Sequence, residues 1–178
     1  MGESKSRREE TRAALLVEFE RWMEPTSPEE GRLNDEISAL QFYEVHRALP
    51  EQLAQMGMKP QESHQNAAVY VRLDPSGESR HVSGWWRRGG IFFFHSVVLT
   101  QGKLHCITPH PDPSPLSYAP DFDIVWRETG GLLNAERRGR EVPYLVRNFP
   151  DQVIAAAKTA RDALLAGADP SAIRAPIG

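Results

Sequence analysis

The sequence predicts an α+β fold with an N-terminal helical pair, an antiparallel β-meander of four to six strands, and a C-terminal helix packed on the sheet. Up to about residue 60, and again after residue 150, apolar residues recur with the spacing of amphipathic helices. Between residues 67 and 147 they alternate as in strands, and glycine-containing turns separate the extended segments. Strands joined by such tight turns favour an antiparallel sheet.

The N-terminal region, residues 1–60, is predicted to be helical. Leu15 and Phe19 lie about one helical turn apart in its first segment. The following Ser27-Pro28-Glu29-Glu30 supplies the cap, the N1 proline and the capping-box glutamate of a second helix. We expect that second helix to include Val45 and to end or restart at Pro50.

Residues 67–147 are predicted to form the antiparallel sheet. A first hairpin would join "AAVYVRL" to "SRHVSGWW" through a turn that contains Pro-Ser-Gly. A second hairpin would join "IFFFHSVVLT" to "KLHCIT" through the two-residue loop Gln101-Gly102. That loop sets the register of the second hairpin, because it places Val98 opposite His105.

Residues 150–167 are predicted to form the closing helix. Ala157 and Leu164 lie on its inner face, and Gly167 is a typical C-terminal stop. A chain of 178 residues is long enough to bury one ordinary core. We therefore expect residues 1–178 to form a single domain.

The composition predicts a cytoplasmic protein. Hydrophobic residues make up 40% of the chain and charged residues 25%, as in ordinary globular proteins. No apolar run reaches the roughly 18–20 residues that a membrane span needs, so we expect no membrane association. The single cysteine, Cys106, excludes an intramolecular disulfide and suits a reducing compartment. The net charge of −3 gives no strongly basic face, which disfavours nucleic acid as the partner.

Cys106 and His95 form the first candidate catalytic pair. The predicted register makes them diagonal neighbours on one face of the hairpin. An imidazole beside a thiol can generate a thiolate nucleophile. The same placement suits a buried cysteine that acts as a small hydrophobe beside a hydrogen-bonded core histidine. Because the rest of that face is apolar, the sequence favours the core interpretation.

A candidate metal site lies on or near the proline-rich loop after residue 108. Imidazoles and carboxylates could converge there on zinc or another divalent cation. The residues concerned are His105, His110, Asp112 and Asp121. No His-x-His spacing preorganises them, and such residues commonly form turns. We therefore expect no cofactor, with a divalent metal as the alternative.

A candidate binding surface lies at Trp85, Trp86, Arg87 and Arg88. Aromatic residues are adjacent in these strands and so occupy both faces of the sheet, which three helices cover only in part. Tryptophan and arginine are common binding hot spots. Whichever tryptophan is exposed would be the anchor of a protein contact, with the arginines at its rim.

These patterns predict a small cytoplasmic binding or accessory protein without catalytic activity, such as an adaptor, chaperone, immunity-type or phage-related factor. It would act through contacts with another protein or with a second copy of itself. The alternative is a small hydrolase or transferase that uses the region from His95 to Asp121. In that case either a metal-bound water or the Cys106 thiolate would be the nucleophile.

Overall fold

The computed structural model describes residues 2–173, with side chains from Ser6 onward except that of residue 129. Helices and strands are both present, which confirms the α+β class. The chain divides into two compact units. The first contains the residues up to Asn34, Gly89–Ile91 and the residues from Arg147 onward, and the second contains the rest. Residues 174–178, the end of the predicted tail, lie outside the described residues.

The first unit is helical. Its elements are α1 (Gly2–Trp22), the first residues of α2 (Pro28–Ser38), α5 (Pro150–Leu165) and a 3₁₀ turn (Pro170–Ala172). The core between α1 and α5 contains Phe19, Ala157 and Leu164, all fully buried. The closing helix therefore begins at Pro150 as expected and buries Ala157 and Leu164. Leu165, which the helical spacing also places on the inner face, is 65% exposed.

The start of α2 follows the predicted capping pattern. The Ser27 hydroxyl accepts a hydrogen bond from the Glu30 backbone N–H at 3.0 Å. The Glu30 carboxylate is in turn held by Arg147, at 2.6 Å between Oε2 and Nη2. Arg147 also donates to the carbonyl oxygens of Trp22 and Glu24. One buried guanidinium thus connects the ends of two helices inside this unit.

The second unit contains a sheet that closes on itself. Its strands are β1 (Tyr43–Arg47), β2 (Arg80–Arg88), β3 (Ile91–Thr100), β4 (Lys103–Cys106) and β5 (Leu116–Pro120). They follow the order β2-β5-β1-β4-β3, and β3 pairs again with β2. A further strand, β9 (Leu145–Arg147), pairs with β3. The sheet is mostly antiparallel, as predicted, and the parallel pair β1–β4 is the exception.

Two helices and a small second sheet complete this unit. The helices are α3 (Pro50–Gln55) and α4 (Ser63–Leu73). The second sheet contains β6 (Ile124–Thr129), β7 (Leu132–Arg137) and β8 (Arg140–Glu141), in that order. Among the described helices of the chain, none is long and apolar enough to cross a membrane.

Two predicted elements have the wrong secondary structure. Val45, expected in the second helix, lies in β1, and the residues expected as the first strand form α4. A short apolar run fits either a strand or a buried helix, and packing decides between them. The segment expected as the first strand is helical in the structure. Its helix, α4, packs Ala67 against Leu53 and Val98, and Ala67 is fully buried there. The β1 segment instead fills the gap between β4 and β5.

The predicted register of the second hairpin is confirmed. Val98 pairs with His105, and Thr100 pairs with Lys103. Gln101 and Gly102 both have positive φ, 50° and 73°, as a two-residue turn between twisted strands requires. This register brings the predicted thiol and imidazole to the same face.

Candidate functional site

The predicted contact between Cys106 and His95 exists. The Cys106 Sγ lies 3.4 Å from His95 Nε2 and 3.3 Å from Nη1 of Arg47, which donates to it. Cys106 has no exposed surface, and His95 is 7% exposed. The pair therefore lies inside the closed sheet.

The chemistry of this pair does not favour a nucleophile. Burial raises the pKa of the Cys106 thiol above its usual value. Burial also lowers the pKa of His95 to about 3, and nearby positive charge adds to that shift. Both groups are uncharged at neutral pH, so the thiolate that attack requires does not form. The arrangement matches the core interpretation.

The four candidate metal ligands do not converge on one point. His105 lies in β4, opposite Val98. His110 and Asp112 contact each other, because the Asp112 backbone N–H donates to His110 Nδ1 at 3.0 Å. Asp121 is buried and accepts hydrogen bonds from Trp85 and Arg137. Within residues 2–173 no group of three His, Cys, Asp or Glu residues could hold a metal ion.

Asp121 is occupied by structural contacts. Its Oδ2 accepts from Trp85 Nε1 at 2.9 Å and from Arg137 Nε at 2.7 Å. Its Oδ1 accepts from the backbone N–H of Asp123 at 3.1 Å. Trp85 is fully buried. This tryptophan therefore belongs to the core and cannot serve as the exposed anchor.

Trp86 is the accessible member of the tryptophan pair. It points the opposite way along β2 and is half-buried. The guanidinium carbons of Arg47 and Arg88 lie 5.2 and 5.6 Å from its ring centroid. The His110 ring meets it edge-on at 5.4 Å. Arg87 is exposed and instead stacks on Phe42, 4.5 Å from that ring centroid.

A polar cluster that the sequence did not predict lies around Ser96. Its Oγ is 2.7 Å from His64 Nδ1 and 2.7 Å from His81 Nε2. These residues come from β3, α4 and β2. Trp126 covers both imidazoles, with ring centroids 5.1 and 5.8 Å away, and donates its Nε1–H to Ser83 at 2.9 Å. No sequence spacing could reveal this cluster, since each member depends on the tertiary fold.

Neutral imidazoles satisfy the hydrogen bonds of the Ser96 hydroxyl. Burial, followed by the charge of His81, lowers the pKa of His64 to about 4. Burial also lowers the pKa of His81. The hydroxyl can then donate to one ring and accept from the other. Serine beside histidine is a nucleophile–base arrangement in hydrolases, but Ser96 has no exposed surface for a substrate to reach.

The β6–β7 hairpin, Ile124–Arg137, which we call the arm, contains a run of exposed residues in the second unit. Its two strands pair without interruption from Ile124↔Arg137 to Thr129↔Leu132. Ile124, Ala135 and Arg137 anchor one face of its base, since all three are buried. From Arg127 to Asn134, every residue whose side chain is described is exposed. At the tip, Leu132 is 69% exposed and Leu133 is 62% exposed.

No protein-family model, curated protein or solved structure matches this chain.

Proposed function

We propose that this protein is a cytoplasmic binding protein without catalytic activity, and that it docks on another protein through the arm. The observation that carries the proposal is the adjacent pair Leu132 and Leu133, which together expose most of their surface on a fully paired hairpin. Exposed apolar groups on an ordered element can bury their surface on a partner at little conformational cost. The free, buried Cys106 is consistent with a reducing compartment.

The edge of the arm adds a second means of recognition. β6 is the outer strand of its sheet, and among the described residues no strand pairs with its far side. Such an edge offers backbone N–H and C=O groups to an added strand. Arg127 and Glu128 are charged, which discourages unselective edge pairing.

The outer face of the arm defines the chemistry of the partner. Val125 and Leu132 lie on this face, near opposite ends of the hairpin. On the same face, Arg127 and Glu136 form an ion pair at 2.9 Å. We expect a partner with an apolar pocket for the leucine tip and polar groups around it.

The alternative of a hydrolase or transferase has less support. Its thiol, Cys106, is buried and protonated, and its paired imidazole is neutral. Ser96, the other hydroxyl beside an imidazole, is enclosed. A binding surface, in contrast, requires only the exposed side chains that the arm provides.

The proposal is tested by a photo-crosslinking residue placed at position 132 in the protein's own cells. Leu73, at the end of α4, is 66% exposed and provides the matched control position. We expect one discrete protein adduct from position 132 that is absent from position 73 and lost in Leu133→Asp. Identical adducts from both positions would overturn the proposal. An adduct between two copies of this chain would overturn the choice of another protein as the partner.

A further inference from the structure

Two arginines beside Trp86, Arg47 and Arg88, form no ion pair with a carboxylate among the described residues, whereas several other arginines do. Arginines that form ion pairs include Arg127, Arg137, Arg138, Arg147 and Arg161. Among the described residues, Arg47, Arg87 and Arg88 form no ion pair with an Asp or Glu. Two of them, Arg47 and Arg88, lie against the same indole ring, so like charges are brought together.

Arg47 has a buried donor with no acceptor. Its Nε is enclosed and makes no hydrogen bond. Its Nη1 donates to Cys106 Sγ, and a thiol sulfur is a weak acceptor. Leaving a buried donor unpaired is unfavourable, and more so for a charged group. An anion bound to the accessible part of the half-buried Arg47 side chain would offset that cost electrostatically.

His110 and Arg88 form a contact in which the role of the imidazole depends on its tautomer. The shorter contact of His110 Nδ1 is with the Asp112 backbone N–H at 3.0 Å, and the contact with the Asp112 carbonyl oxygen is 3.2 Å. In the tautomer that accepts from this N–H, Nε2 carries the hydrogen. Nε2 lies 3.4 Å from Arg88 Nη1. In this tautomer Nε2–H and the Arg88 guanidinium are both donors. In the tautomer that donates Nδ1–H to the Asp112 carbonyl oxygen, Nε2 instead accepts from Arg88.

We infer that Arg47, Arg88 and His110 form a binding site for a phosphate-type oxyanion beside Trp86. A tetrahedral oxyanion offers acceptor oxygens to all three donors, and guanidinium groups match its geometry and charge. All four residues are half-buried, so the site is partly dehydrated and still accessible. The ligand class is a small phosphate dianion, either inorganic phosphate or a phosphate monoester. This site is independent of the arm.

Asp112 competes with such a ligand. It is exposed, and its carboxylate accepts from the Ser114 N–H at 2.9 Å. Hydrogen bonds from Ser114 are the main cause of the lowered pKa of Asp112. The charges of His110 and Arg47 lower this pKa further. The carboxylate attracts the same cations and would repel an anion bound to them. Asp112→Asn removes this negative charge and therefore this repulsion. The structure thus predicts that Asp112→Asn strengthens binding of the anion and that Arg88→Gln weakens it.

The test is isothermal titration calorimetry of the full chain with inorganic phosphate and with AMP, at constant ionic strength. Arg88→Gln should weaken binding by about tenfold or more, because it removes a charge-assisted hydrogen bond. Asp112→Asn should strengthen it. Arg87→Gln is the matched control, since Arg87 is the next residue on β2 and stacks on Phe42 instead. Circular dichroism checks that each variant folds.

The two ligands separate the two sources of the anion. Tighter binding of AMP than of inorganic phosphate identifies a monoester as the ligand, and equal affinities identify the free anion. Absence of saturable heat for both ligands up to about 1 mM, which corresponds to roughly −4 kcal/mol, would overturn the inference. An equal loss in Arg87→Gln and Arg88→Gln would also overturn it, because that result indicates unspecific charge attraction.

Discussion

At the scale of residues, buried histidines couple the stability of the second unit to pH. Burial lowers the pKa of His64 to about 4 and that of His95 to about 3, against an ordinary value of 6.5. In the unfolded chain both imidazoles take up protons below about pH 6.5. Between the lowered pKa values and pH 6.5, the unfolded state therefore binds more protons than the folded state. The free energy of unfolding consequently falls as the pH falls. The stabilisation is fully present above the unfolded pKa.

We predict that His64→Gln flattens the pH dependence of unfolding. The depressed pKa of His64 corresponds to about 3 kcal/mol of stability lost between pH 6.5 and pH 4. Urea unfolding of both proteins at several pH values in this range measures the difference. The free energy of unfolding of the variant should approach that of the wild type in acid, even if it is lower at pH 7. Parallel pH profiles for the two proteins would show that His64 is not held neutral.

We predict that Cys106 in the native protein does not react with a disulfide reagent. Its thiol is fully buried, and burial raises its pKa. At pH 8 the thiol should be modified only as fast as the chain opens, and at once in denaturant. The reaction is followed by the absorbance of the released thiolate. Rapid modification without denaturant would restore Cys106 as a candidate nucleophile.

At the scale of elements, the pairing of β2 with β5 depends on a glycine. A Cβ at Gly84 would lie 2.1 Å from the Ala119 carbonyl oxygen, which no side-chain movement relieves. We predict that Gly84→Ala destabilises the protein by about 3 kcal/mol or more. Gly31→Ala in α2 is the control, since its Cβ meets nothing within 4 Å, and it should stabilise by up to about 1 kcal/mol. Denaturant unfolding measures both, and equal stabilities would contradict the strand pairing.

The base of the arm depends on the buried ion pair between Asp121 and Arg137. Removing Arg137 leaves the Asp121 charge with only the N–H groups of Trp85 and Asp123. We predict that Arg137→Leu costs about 3 kcal/mol, because it uncovers a buried carboxylate. Asp121→Asn should recover part of this loss in the double variant, since it removes the charge. A double variant no more stable than Arg137→Leu would contradict this explanation.

The elements that could be predicted from sequence are those whose signals are local. The hairpin around Gln101 and Gly102 follows from a turn and two flanking strands, and its register is confirmed. The cap at Ser27 follows from a four-residue motif. Strand β1 pairs instead with β4 and β5, whose partner residues lie 59 to 75 positions further along the chain. Its conformation is set by those distant partners, which no local pattern reveals.

At the scale of the whole molecule, closure of the sheet explains why the sites were only partly predictable. The contact between His95 and Cys106 follows from one hairpin, and it was predicted. The Ser96 cluster needs β2, β3 and α4 together, and the Trp86 site needs Arg47 from β1. Because the local pattern predicts a helix where β1 lies, it does not place Arg47 beside Trp86. The sequence therefore indicated an accessible tryptophan but not the group of cations around it.

The proposed function depends on the tip of the arm, and the most direct measurement is the affinity of the purified protein for the partner that crosslinks at position 132. We predict that Leu132→Asp with Leu133→Asp weakens binding at least about 30-fold, which is roughly 2 kcal/mol. Leu73→Asp, equally exposed elsewhere in the same unit, should leave the affinity unchanged. An affinity that the double variant leaves intact, or that Leu73→Asp reduces as much, would contradict binding through the arm.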